Sequence, residues 1–306
     1  MDFIAYYYLL RPIIPRRIQV IFRRILVQIQ KEKNSHIWPI DEGAKEPPED
    51  WQGWPNGKKF CLVLTHDVEA EKGYKKFRQL MLLEKELGFR SSFNFVPERY
   101  HIDDHAIHEI KANGFEVGVH GLKHDGKLYQ SFEIFKERAY KINQYLSAWE
   151  AKGFRSPSMQ HHLPWLHLLN IDYDASTFDT DPFEPQPDGI RKIFPFWYIN
   201  NSTDRNFIEL PYTLPQDFTL FILMKENNIE IWKKKLDWII KNGGMALLIT
   251  HPDYINYDNS INVFDEYPLQ YYQDFLNYIQ QKYSGLYWNP LPAELAKFWK
   301  TRAVRK

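Results

Sequence analysis

The chain has 306 residues, 44% hydrophobic and 25% charged, an ordinary globular composition with room for two average domains or one large α/β domain. Lysine plus arginine, 39, balances aspartate plus glutamate, 39, so the overall charge gives no reason to expect a nucleic-acid partner. The single cysteine, Cys61, excludes an intramolecular disulfide and a zinc ribbon, and its place in an apolar run marks a buried thiol.

In chain order, the first apolar run, FIAYYYLL at 3–10, stops at Arg11 and falls short of the roughly 20 apolar residues that span a bilayer. It follows Asp2 and lacks a small-residue cleavage site, so a cytoplasmic protein is expected. Residues 1–33 carry Arg11, Arg16, Arg17, Arg23, Arg24, Lys31 and Lys33 against Asp2 and Glu32. Within RRIQVIFRRILVQIQK, Ile18, Ile21, Phe22, Ile25 and Ile29 share one helical face, and Arg17, Arg24, Gln28 and Lys31 share another. Such a basic amphipathic helix either packs its stripe on the main domain, the favoured reading, or lies peripherally on an anionic membrane. The segment 34–50, polar and proline-bearing, reads as a linker or wrapping arm, so residues 1–50 form an extension and 51–306 the main domain.

From Lys59 onward strands and helices alternate. Strands are expected at 60–65, 91–96, 115–120, 171–177, 206–210 and 245–250, and Arg155 in GFRSPS sits at another strand end. Helices are expected at 73–88, 103–114, about 131–152, 229–242 and 265–282. Alternation of this kind means right-handed βαβ units and a mostly parallel sheet. About seven strands without a Gly-rich phosphate loop predict an α/β fold, a deformed (β/α) barrel with an N-terminal amphipathic helical extension. The barrel rule then directs attention to the carboxyl ends of the strands.

Those ends are unusually polar. LVLTHDVEA closes the first strand with Asp67 and Glu69, which project to the same side of an extended chain. FEVGVH delivers His120, and HGLKH adds His124 four residues later, a pair that converges on one ion if the intervening turn is helical. A second pair of the same spacing, His101 and His105 in HIDDH, lies past its strand and straddles a helix start that Asp103 and Asp104 would cap, so it is set aside. YDASTFDTDP brings Asp174, Asp179 and Asp181, and MALLITHPDY ends in His251.

In motif order this series resembles the polysaccharide deacetylases of the NodB-homology class, carbohydrate esterases with a deformed βα barrel, over roughly residues 59–255. The resemblance implies that Asp67 is the base, that Arg155 orients it, that His251 is the acid, and that Asp179 orients His251, with Asp181 and Asp174 as other registers. It also implies a divalent metal, zinc by default with cobalt, iron or manganese as substitutes, held by Glu69, His120 and His124. Two positions depart from the pattern. Val68 stands where a metal-binding aspartate is usual, so Glu69 takes that task as in D-x-D relatives. Gly121 stands where a hydroxyl residue is usual, and Ser158 replaces the tyrosine whose amide serves the oxyanion.

The implied reaction is hydrolytic removal of an acetyl group from an N-acetylated, or O-acetylated, sugar or polysaccharide precursor. A His-His-carboxylate set also describes non-haem iron oxygenases, although those usually use all-β scaffolds. A decayed, glycan-binding barrel is the other rival, favoured by Val68 and Gly121. The ring-rich segment 181–202 offers faces for sugar stacking, though most of its rings should serve packing.

Overall fold

The computed structural model describes residues 15–200, 205–258 and 264–302. The apolar run 3–10, Arg11, and the last two residues of the ring-rich segment 181–202 lie outside the described residues.

The strands are β1 (Phe60–Val68), β2 (Ser91–Phe95), β3 (Glu116–His120), β4 (Gly153–Arg155), β5 (Tyr173–Asp174), β6 (Phe196–Tyr198), β7 (Phe207–Glu209), β8 (Met245–Thr250), β9 (Ile255–Asn256), β10 (Tyr267–Pro268) and β11 (Tyr287–Trp288). The α-helices are α1 (Arg16–Lys33), α2 (Glu71–Tyr74), α3 (Phe77–Glu86), α4 (Asp104–Ala112), α5 (Phe132–Ala148), α6 (Glu230–Lys241), α7 (Leu269–Tyr283) and α8 (Pro292–Arg302). Seven parallel strands run in the order β8–β1–β2–β3–β4–β5–β7, the deformed barrel that the alternation predicts. β6 adds antiparallel to β7, and β11 pairs with the start of β1.

The gap between β7 and β8 is bridged by the segment after β7. Thr213 and Leu214 both donate their N–H to the Leu247 carbonyl at 3.1 Å, and the Thr213 hydroxyl donates to the Met245 carbonyl at 2.7 Å. β1, β2, β3 and β8 are buried along their whole length, as strands covered on both faces must be. A cluster of Trp51, Trp54, Phe194 and Trp299 packs beside Trp288, the residue that pairs with Cys61 near the start of β1, and so fills the end opposite the polar rim. The arm at 34–50 wraps the barrel, with Trp38 edge-on to Phe183 and Asp41 paired to Arg191 at 2.7 Å.

Three elements differ from expectation. The single helix expected at 73–88 is divided between α2 and α3, because Asp253 fixes the entry to the first turn. Its carboxylate accepts from the N–H groups of Glu69, Ala70 and Gly73, and a Cβ on Gly73 would lie 2.1 Å from its Oδ2. The chain then re-aims at Lys76 so that Phe77, Leu80 and Met81 meet the core. A π-helix at Phe218–Leu223 was not foreseen, since its spacing matches neither the helical nor the strand period.

The third correction concerns α1. The favoured reading placed the stripe Ile18, Ile21, Phe22, Ile25 and Ile29 against the main domain, yet all five side chains face outward. The helix is held instead by its other face. Val20 and Val27 are buried, and Arg24 donates to the carbonyls of Ile222 and Phe264 at 2.9 and 2.8 Å. Lys31 pairs with Glu226 at 2.8 Å, and the Arg23 guanidinium lies 5.1 Å from the centre of the Phe218 ring. The guanidinium of Arg24 supplies donors to a carbonyl near the end of the π-helix, where regular partners run out, and this fixes the rotation of α1.

Candidate active site

Strand alternation sorts the end of β1. Val68 is buried in the core, and Asp67 and Glu69 on the other side line one cavity with His120, His124, Ser158, Glu184, His251 and Tyr254. His66 faces away from that cavity's lining and is satisfied by Glu84 at 2.8 Å and Thr250 at 2.7 Å. The position where a metal-binding aspartate would be usual is therefore a packing position here.

Asp67 is buried with donors arranged on one oxygen. Asn94 donates to its Oδ1 at 2.8 Å and Arg155 at 3.1 Å. Arg155 is itself fixed by the Thr65 hydroxyl and the Ala175 carbonyl, both at 2.8 Å. Burial pushes the Asp67 carboxyl up, but Arg155, then His120 and His251, with the Asn94 bond, outweigh it and bring the group down to about 2. Asn94 reaches Asp67 only because Gly118 on β3 has no side chain; a Cβ there would lie 2.1 Å from the Asn94 Oδ1.

The loop after β3 brings the two histidines together without a helical turn. Gly121 (φ +64°) and His124 (φ +52°) are left-handed, and buried Leu122 anchors the loop between them. The expected helical geometry is thus replaced by two left-handed residues that fold the loop back on itself. Gly121 is also where Pro157 of the RSP segment packs; a Cβ would lie 2.4 Å from the proline Cγ, so a hydroxyl residue could not stand there without displacing that segment.

His120 donates from Nδ1 to the Arg155 carbonyl at 3.2 Å, which leaves its Nε2 lone pair free, buried and without a protein partner. Burial lowers the His120 pKa to about 4, helped by the charges of His124 and Arg155, so the ring is neutral near pH 7. The Nε2 of His124 lies 3.0 Å from a Glu69 oxygen, and the other Glu69 oxygen accepts from the Tyr254 hydroxyl at 2.7 Å. One donor atom from each of Glu69, His120 and His124 lies within 4.8 Å of the others. Two imidazoles and a carboxylate around an orphaned buried nitrogen fit a divalent ion of the zinc, cobalt, iron or manganese type. The carbonyl that holds His120 supplies the outer contact that orients such ligands.

His251 ends β8, but its partner is not Asp179. The ring donates from Nδ1 to Asp217 Oδ1 at 2.7 Å, and the His251 N–H donates to Asp217 Oδ2 at 2.8 Å. Tyr267 adds a hydroxyl to Oδ2 at 3.0 Å. Burial pushes the imidazole pKa down, yet Asp217, by charge and hydrogen bond, and then Glu69 and Asp67 raise it to about 10. Asp179 is held by Lys235 at 2.5 Å, both side chains being buried. Of the other registers, Asp181 accepts from Tyr212, and Asp174 from Ser176. A strand end makes a carboxylate a candidate, but Lys235 claims this one.

The sequence does not single out Tyr254 and Glu184, which line the cavity, or Asn94, Asp217 and Asp253, which bond Asp67, His251 and the Glu69 N–H from behind it. Glu184 is pushed up to about 8 by burial and by the Asp181 charge. The Tyr212 hydroxyl lies 2.9 Å from Asp181 and 2.8 Å from Glu184, and the Gln216 side-chain amide also donates to that Glu184 oxygen. Ser158 (φ +54°) and Met159 (φ +51°) turn the chain sharply after Arg155. His101 and His105 are exposed, with Asp103 capping α4, as their position suggested.

No protein-family model matches the chain, and no curated protein does. Solved structures do. A Mycobacterium smegmatis protein described as a polysaccharide deacetylase superposes with a TM-score of 0.60 at 16% identity, covering 85% of this chain and 98% of its own. A Pseudomonas aeruginosa PAO1 protein, similarly described, gives 0.63 at 16% over 85% and 97%. The allantoinase Puue gives 0.64 at 16% over 84% and 94%. The chain therefore has the fold that these polysaccharide deacetylase and allantoinase structures share.

Proposed function

We propose that the protein is a metal-dependent hydrolase that removes an acetyl group from an N-acetylated sugar. The observation that carries this reading is the pairing of two opposite groups across one cavity. Asp67 is held as a carboxylate by Arg155 and Asn94, and His251 is held as an imidazolium by Asp217, with Glu69, His120 and His124 in the same lining. A base kept charged and an acid kept charged is the combination that amide hydrolysis requires.

The residues divide the work. Glu69, His120 and His124 would hold the divalent ion, which supplies Lewis-acid polarisation of the acyl carbonyl. Asp67 takes a proton from the attacking water. Its low pKa makes it a weak base, and a bound ion would supply the rest of the activation. Ser158 lines the cavity, and its N–H, which meets no acceptor among the described residues, is suited to donate to the developing oxyanion. His251, protonated at Nε2 while Nδ1 stays on Asp217, delivers a proton to the departing amine. The same set would also cleave an acetyl ester, with an alcohol in place of the amine.

The iron oxygenase reading finds no support in a parallel barrel with an acid–base pair beside the ligands. The decayed-barrel reading rested on Val68 and Gly121, and both have packing explanations. The test is acetate release from a panel of N-acetyl and O-acetyl sugars with and without added metal. Release that needs metal and falls by roughly 10² to 10⁴ in His251→Ala supports the proposal. Metal bound without acetate release from any sugar contradicts it.

A further inference from the structure

Helix α1 carries its hydrophobic face on the side away from the barrel. Ile18, Ile21, Phe22, Ile25 and Ile29 form one outward stripe, each between 42% and 55% exposed. At about 100° per residue, Arg17 and Lys33 fall on opposite flanks of that stripe and Glu32 at its carboxyl end, and all three are exposed. The inward face meanwhile supplies Gln19, Val20 and Arg23 to the wall of the cavity that holds Asp67, Glu69 and His251. One helix, about 10–12 Å across, thus joins an apolar outer surface to the catalytic cavity.

We propose that α1 seats the protein on an anionic bilayer surface, and that the substrate is an acetylated sugar held at that surface by a lipid anchor. The substrate half rests on the hydrolase reading above; the docking half does not. An apolar stripe with basic flanks complements the boundary between acyl chains and anionic headgroups. No helix among the described residues is long and apolar enough to cross a membrane, so α1 lies in the interface. Arg24, bound to the Ile222 and Phe264 carbonyls, prevents α1 from rolling its stripe inward. The sequence just before the helix continues the same character, an apolar FIAYYYLL followed by Arg11. A sugar on a lipid anchor would reach the cavity around one helix width.

The test is co-sedimentation of the full chain with phosphatidylcholine vesicles, with and without phosphatidylglycerol. Binding is expected only with phosphatidylglycerol at low salt, weakening by at least about tenfold as ionic strength rises. The double variant Ile21→Glu/Ile25→Glu should lose at least about tenfold in binding while hydrolysing a water-soluble N-acetylated sugar at the parent rate. On vesicles carrying the same sugar on a diacylglycerol anchor, the parent should outpace the variant about tenfold. A full chain that ignores both vesicle types overturns the docking, as does a stripe variant that binds equally. So does a stripe variant that converts a dimer to a monomer, since the occupant is then a second copy. Equal parent and variant rates on anchored sugar overturn the substrate class. Vesicle binding without hydrolysis of any sugar, anchored or free, overturns the hydrolase reading alone.

Discussion

Asp217 grips His251 twice, through the ring Nδ1 at 2.7 Å and through the backbone N–H at 2.8 Å. The carboxylate comes from the start of the π-helix and the imidazole from the end of β8, 34 residues later. The ring contact fixes Nδ1 as a donor, the backbone contact holds the carboxylate in place, and Nε2 is left to the cavity. Because Asp217 raises the His251 pKa towards about 10, its removal must lower it. The Asp217→Asn variant should therefore show the alkaline limb of its pH–rate profile moved to lower pH, with activity at pH 8 to 9 most affected. A limb that stays in place would mean that His251 is not the acid.

Asp179→Asn is the contrasting case. Lys235 would be left buried without its counter-charge, at a cost of about 3–5 kcal/mol in stability. The alkaline limb should stay where it is in the parent. Denaturant unfolding and a pH–rate profile of the same preparation check both halves.

Glu69→Gln removes one of the three proposed ligands and should weaken metal retention by more than about 100-fold, beyond the effect of losing an outer contact. Asp67→Asn should retain metal and lose the rate. Elemental analysis after dialysis distinguishes them; metal kept by the first and lost by the second reverses the two carboxylates.

Asp253→Ala acts at a distance from the chemistry. It removes the acceptor for the N–H groups of Glu69, Ala70 and Gly73, so the loop that carries Glu69 loses its anchor. Metal affinity should fall by roughly 10–100-fold, the range for contacts that orient a ligand. The rate at saturating metal should largely recover. A defect that saturating metal does not relieve would place Asp253 in the chemistry itself.

The barrel was legible because strand and helix periods alternate cleanly from β1 to β3 and again at β8. The rim rule led to Asp67, Glu69, His120 and His251, which line one cavity, and to Arg155, which bonds Asp67 behind it. Asp217 escaped because it sits in LPQDFTLFIL, inside an apolar run whose π-helical spacing gives no periodic signal. The clue was present nonetheless: a lone carboxylate in such a run needs a partner. Lys235 gave the matching hint for Asp179, since it falls on the apolar side of α6 and needs a counter-charge there. Asn94 was hidden because its role depends on the missing side chain of Gly118, a contact between strands. The stripe on α1 was legible from its period, but period alone does not say what an apolar face meets.

The most direct measurement is acetate release by the full chain from an N-acetylated sugar before chelation, after chelation, and after return of zinc or cobalt. The account predicts release that is abolished by chelation and restored by either metal, with Asp67→Asn inactive throughout. Release that survives complete removal of metal would contradict it, because the cluster of Glu69, His120 and His124 would then hold nothing that the reaction needs.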